Sequence, residues 1–228
     1  VNSSQGASDT ADRIGATTAL RRRVRSRLSA RRYKPQQISR RSQLDTLPLP
    51  AGRVVFLGDS ITEHGQWQEW FPDIPVVNRG VGGETSGDIL ERVYGVINSP
   101  SAVMLLMGTN DIGQGKPTEG ILNNLAGILD HIDYCAPGTS VVVQSIMPRA
   151  LSYRGEVLWA NERIREIVAS YPENIRYLDL WPALATPEGA LRPELSEDEL
   201  HLNGPGYQAW VHVLEPVLRE LTVGSHTG

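Results

Sequence analysis

At 228 residues, 40% of them hydrophobic, the chain is long enough to bury one substantial core, so a single catalytic-sized domain is expected. Its formal net charge of −4 divides unevenly: residues 1–50 carry 11 Lys and Arg against 3 Asp and Glu, and the remainder 11 against 23. One cysteine, Cys135, excludes an intramolecular disulfide, and nothing reads as a Cys/His metal cluster, a bilayer-length apolar run or a secretory apolar core. No metal or cofactor is therefore expected. The simplest location is cytoplasmic, with a removed leader left open because the chain begins at Val1.

Residues 1–20 are small and polar with little hydrophobic periodicity, as in a flexible end. The stretch Arg21–Arg41 is dense in arginine; it reads as a solvated arm or a helix lying over an acidic domain, or as a weak contact with an anionic surface. The division expected is an arm over 1–38, a catalytic domain over 39–224 and a tail over 225–228.

From Arg53 the pattern is regular. Val54–Leu57 is a short continuous apolar run closed by Gly58, as in a strand buried on both faces of a parallel sheet. Val76–Val77, Ala102–Met107, Ser140–Gln144 and Ile175–Asp179 read as further strands. Helical patterns fall at Thr85–Val96, Gly120–Tyr134, Glu156–Ser170 and Gly204–Leu221, with Pro216 expected to bend the last or end its first half. This alternation predicts a doubly wound, three-layer α/β/α domain around a mostly parallel five-stranded sheet. In such a sheet reactive groups gather beyond the carboxyl ends of the strands, where Ser60, Gly83 and Asn110 follow the first, second and third.

Ser60 closes a tight Gly58-Asp59-Ser60 turn leaving a buried strand, with Ile61 and Thr62 opening a short helix, so it is either a helix cap or a nucleophile. His201 lies three residues after Asp198, a spacing that lets one carboxylate fix the imidazole tautomer while the other ring nitrogen serves Ser60. Candidate donors to an oxyanion are the Ser60 and Gly83 N–H groups and the Asn110 amide; a glycine-rich turn and a loop-capping amide are the plainer readings. Asp111 reads as a second capper or a pocket residue. Trp67, Trp70 and Phe71 either wall an acyl or alcohol site or pack in the core. His64, close to Ser60 in sequence, reads as a pocket-lining residue or, more simply, as part of a polar helix face, and His131, His212 and His226 are expected on the surface.

The blocks Gly58-Asp59-Ser60, Gly83-Glu84-Thr85, Gly108-Thr109-Asn110-Asp111 and Asp198-Glu199-Leu200-His201 together resemble the SGNH hydrolase superfamily, or GDSL esterases/lipases. Asn78–Thr85, Leu200–Asn203 and Gly206-Tyr207 are most similar to the branch of platelet-activating-factor acetylhydrolase catalytic subunits and lysophospholipase-like bacterial esterases. The resemblance covers roughly residues 40–221. It implies a metal-independent serine esterase with Ser60 as nucleophile, His201 as base, Asp198 as its orienter, and an oxyanion hole of Ser60, Gly83 and Asn110. Two departures, Ile61 where Leu is usual and Glu84 where Asp is usual, leave those roles intact. The substrate implied is a small ester (an acylated sugar, lysolipid or aryl ester) with a short, acetyl-type acyl group, and the branch suggests a homodimer. Lysophospholipase or transacylase activity on the same triad stands as an alternative, and so does a non-catalytic scaffold recruited by the basic arm. An α/β-hydrolase is disfavoured because no Gly-x-Ser-x-Gly elbow occurs.

Overall fold

The computed structural model describes residues 34–223, and the chain divides into two units at Leu44/Asp45. Within the first, Pro35 opens the helix α1 (Pro35–Thr46), its missing N–H being one of the donors a helix start leaves unused. The anticipated arm lies outside the described residues as far as position 33, as does the tail over 225–228.

The second unit is built on five parallel strands, β1 (Val54–Gly58), β2 (Val76–Gly80), β3 (Ala102–Leu105), β4 (Ser140–Gln144) and β5 (Ile175–Leu178), in the order β2-β1-β3-β4-β5. β1 sits between β2 and β3 and is buried along its whole length, which is why its residues are apolar without alternation. β2 runs farther than its apolar pair. Val54 to Gly58 pair in register with Val76 to Gly80, so main-chain hydrogen bonds carry the strand through polar Asn78 and Arg79.

Eight helices follow α1: α2 (Ser60–Glu63), α3 (Trp67–Trp70), α4 (Ser86–Arg92), α5 (Thr109–Gly113), α6 (Thr118–Cys135), α7 (Arg154–Val168), α8 (Trp181–Leu184) and α9 (Gly204–Val223). Alternate residues of β1 feed two separate cores. Val54 and Phe56 pack with α2, α3, α8 and α9, while Val55 and Leu57 pack with α4, α6 and α7. On α6 the buried set Ile121, Leu125, Ile128 and Ile132 recurs at helical spacing, forming the stripe that meets the sheet. The result is the three-layer α/β/α sandwich, here with every strand parallel. α9 runs through Pro216 to Val223; the proline sits on an exposed face, where the carbonyl it leaves unbonded has access to water.

Trp67 belongs to the core and not to a pocket wall. It is 1% exposed, stacks on Phe56 with centroids 4.1 Å apart, meets Trp210 edge-on at 4.7 Å and donates its indole N–H to the Thr62 carbonyl at 2.9 Å. Phe71 is likewise fully buried, whereas Trp70 is 37% exposed. Trp67→Ala should therefore cost about 3–5 kcal/mol of unfolding free energy in urea titrations; a loss below about 1 kcal/mol would show that the indole is not a core side chain.

Candidate active site

The Gly58-Asp59-Ser60 turn forms where β1 leaves the sheet. Asp59 caps the short helix that follows, its Oδ1 accepting the Ile61 N–H at 3.0 Å, and Ser60 takes the first helical position, where its own N–H has no intrahelical acceptor. Ser60 Oγ lies 3.0 Å from His201 Nε2, across 141 positions of sequence.

His201 rides on a surface loop closed by an antiparallel bridge between Ser196 and Leu202, with Glu199 turned into the left-handed region at φ 59°. The loop turns Asp198 and His201 towards each other. His201 Nδ1–H donates to Asp198 Oδ2 at 2.7 Å, and the backbone N–H groups of His201 and Leu200 donate to Oδ1 at 2.7 and 3.1 Å. The bond from the imidazole, with those backbone donors behind it, holds the Asp198 carboxyl down at about 2, and its 53% exposure leaves too little desolvation to prevent ionisation. The loop is fixed relative to Ser60 by Tyr207 near the start of α9, whose hydroxyl donates to the Ile61 carbonyl at 2.6 Å.

The candidate oxyanion donors follow β2 and β3, the strands on either side of β1. Gly83, after β2, adopts φ 75°, a left-handed conformation that costs glycine little, and among the described residues no acceptor takes its N–H. Asn110, in α5, spends one amide N–H on the Glu84 carbonyl at 2.9 Å, which leaves the second. The structure thus brings Ser60, Asp198 and His201 into one hydrogen-bonded chain, and the Glu84 carbonyl joins Asn110 to the residue after Gly83.

Asp111 is a strut and not a pocket residue. It is buried, and its two oxygens accept the Ser86 N–H at 2.7 Å and the Ser86 hydroxyl at 2.8 Å, locking α5 to the start of α4. Burial raises its carboxyl above the ordinary range, and the Ser86 bonds pull it back in part. His131, expected on the surface, is instead buried on α6, with its ring 3.6 Å from that of Tyr94. His64 caps the end of α2 with its ring 5.6 Å from that of His201.

Three further residues shape the site. Glu63 Oε2 accepts the Gly82 N–H at 2.6 Å, so the helix bearing Ser60 also holds the peptide preceding Gly83. Asn78 donates to the carbonyls of Thr62, Glu63 and Gly65 at 3.0, 2.9 and 3.1 Å. Asp59 is fully buried, and its Oδ2 has no hydrogen-bond partner among the described residues. Desolvation dominates there and lifts the carboxyl from 3.8 to about 7; the Ile61 N–H and His201 oppose the rise, and Glu84 and Asp111 add to it. Among the described residues no group of three or more His, Cys, Asp or Glu is arranged to hold a metal ion.

The GDSL-like Lipase/Acylhydrolase family model matches residues 56–209. Platelet-activating factor acetylhydrolase IB subunit alpha1 of Rattus norvegicus is 28% identical over 178 residues, 74% of this chain and 75% of the relative. A structure from Streptococcus pneumonia, described as a candidate platelet activating factor, superposes with a TM-score of 0.76 at 25% identity, covering 88% of this chain and 99% of that one. A GDSL-like lipase from Bacteroides thetaiotaomicron gives 0.70 at 22% identity, with 81% and 97% covered, a likeness of fold.

The buried Asp59 has a measurable consequence. Its folded value lies above that of an unfolded carboxylate, so between about pH 4 and 7 the unfolded chain binds fewer protons at this position than the folded one, and stability falls as pH rises through that window. Asp59→Asn keeps an oxygen for the Ile61 N–H and removes the ionisation. In urea titrations the wild-type stability minus that of Asp59→Asn should decline from pH 4 to 7, and a flat difference would refute the buried, proton-holding carboxyl.

Proposed function

The chain belongs to the GDSL-like lipase/acylhydrolase family and hydrolyses ester bonds, and we propose that it does so as a serine esterase acting on short-acyl, acetyl-type esters through an acyl-enzyme on Ser60. The observation that carries this reading is the continuous chain from Ser60 Oγ to His201 Nε2 at 3.0 Å and from His201 Nδ1 to Asp198 Oδ2 at 2.7 Å. A serine hydroxyl is a weak nucleophile until a base takes its proton, and an imidazole is a good base only when its tautomer is fixed.

In the first half-reaction Ser60 Oγ attacks the acyl carbon while His201 Nε2 removes its proton. The ionised Asp198 stabilises the imidazolium, and the oxyanion collects hydrogen bonds from the Ser60 and Gly83 N–H groups and the Asn110 amide. The imidazolium then protonates the departing alcohol. Water, deprotonated by His201, attacks the acyl-enzyme in the second half-reaction and releases the acid, restoring Ser60. The preference for acetyl rests on likeness to relatives named acetylhydrolases. The same likeness also fits a lysophospholipase, which would accept long acyl chains.

Ser60→Ala should lower kcat for p-nitrophenyl acetate on the order of 10⁴–10⁶-fold, and an organophosphonate should label wild type but not this variant. Asn110→Ala should cost roughly 10²–10³-fold in kcat. Across a series of p-nitrophenyl esters, kcat/KM should fall beyond acetyl and propionyl. A rise toward decanoyl would replace the acetyl-ester reading with the lysophospholipase one, and full activity in Ser60→Ala would overturn both.

A further inference from the structure

The loop leaving the carboxyl end of β4 brings Arg149 to the edge of the sheet that carries the site. Its side chain is half-buried, and Nη1 donates to the Thr109 carbonyl at 2.9 Å and to the Thr109 hydroxyl at 3.3 Å. Thr109 immediately precedes Asn110, about 3.8 Å away along the backbone. The guanidinium carbon lies 4.0 Å from the centre of the Tyr153 ring, and Nε is sealed from solvent without an acceptor.

No carboxylate among the described residues pairs with Arg149. Arg53 and Arg154 share that lack among the described residues, whereas Arg92, Arg163, Arg165, Arg176, Arg192 and Arg219 each hold a carboxylate at 2.6–3.2 Å, and residues 51–228 carry 23 acidic side chains against 11 basic ones. Arg149 also contacts the start of α5, the helix that carries Asn110. A cation partly withdrawn from water with no counter-charge is costly, and Thr109 and Tyr153 occupy only one terminal nitrogen and one face of the guanidinium. Nη2 has no protein acceptor among the described residues. A planar guanidinium with donors to spare is matched to the oxygens of a phosphate or carboxylate.

We propose that Arg149 binds an anionic group on the substrate, so that the enzyme favours esters bearing a phosphate or carboxylate in their alcohol or acyl part. This rests on the serine-esterase reading above, and it narrows the substrate class in a way that the hydroxyl, imidazole and amide groups at the reaction centre do not.

The test compares acetyl esters matched except for charge: 4-acetoxybenzoate and 4-acetoxyphenyl phosphate against neutral 4-acetoxybenzamide, with wild type, Arg149→Gln and Arg149→Lys. In wild type at low salt, kcat/KM for at least one anionic ester should exceed that for the neutral ester about tenfold or more, and the ratio should shrink as NaCl is added. Arg149→Gln should bring the ratio near one, and Arg149→Lys should retain part of it. The larger gain identifies phosphate or carboxylate as the better fit. A wild-type ratio at or below one overturns the proposal, as does an Arg149→Gln variant that lowers all three esters equally, the signature of a prop for Thr109. If Arg149→Gln does not fold, the wild-type ratio, its salt dependence and Arg149→Lys still decide. Failure of wild type to cleave any of the esters, with no organophosphonate adduct on Ser60, would instead remove the esterase reading itself.

Discussion

The position of Ser60 relative to Gly83 depends on how closely the helix carrying Ser60 lies against the end of β2. Gly80 allows that approach, since a Cβ there would come within 2.2 Å of the Glu63 nitrogen. Asn78 then fixes it: one amide nitrogen serves three carbonyls at the end of α2, and the amide oxygen accepts the Gly80 N–H at 2.9 Å. Glu63 closes the circuit by accepting the Gly82 N–H. Each such bond contributes about 1 kcal/mol net to stability, but the greater effect is geometric. Ser60 and Gly83 become parts of one rigid piece, and a catalytic constellation needs tolerances of roughly 0.5 Å.

Beneath that piece the protein buries more negative charge than stability alone would favour. Glu84 is fully buried and paired with Arg92 at 2.6 Å, and the same arginine donates to the carbonyls of Gly58 and Arg79, gathering the ends of β1 and β2. A buried ion pair adds little net stability, because desolvation offsets the Coulomb gain; its use is to fix geometry. Asp59 has no such partner, so its carboxyl holds a proton far above the ordinary range.

The acid–base pair, by contrast, is built at the surface. Asp198 and His201 side chains are 53% and 35% exposed, so their mutual orientation comes from the loop's own hydrogen bonds and not from packing. Ser196 contributes to those bonds, its hydroxyl accepting the Leu200 N–H at 3.2 Å. Precision reaches this exposed loop through Leu202 and the start of α9, and Tyr207 carries it on to α2. An exposed loop is in this way referenced to the buried sheet.

The sequence by itself determined the layers, the parallel sheet and the four blocks, because these are written in local period and in short spacings: apolar runs too uniform for a half-exposed strand, helical stripes such as Ile121 to Ile132, and a carboxylate three residues from an imidazole. It also limited strand β2 to Val76–Val77, since the polar Asn78-Arg79 continuation is held by cross-strand pairing that no local pattern reports. The tertiary structure alone decided that Trp67 fills the core, that Asp111 braces Ser86, that His64 lies near His201 and that Arg149 lacks a carboxylate partner. Each of those outcomes depends on which distant group occupies the space beside a side chain. A residue's spacing fixes the face it can present, while its partner is chosen only when strands from across the chain bring their carboxyl ends to a common edge.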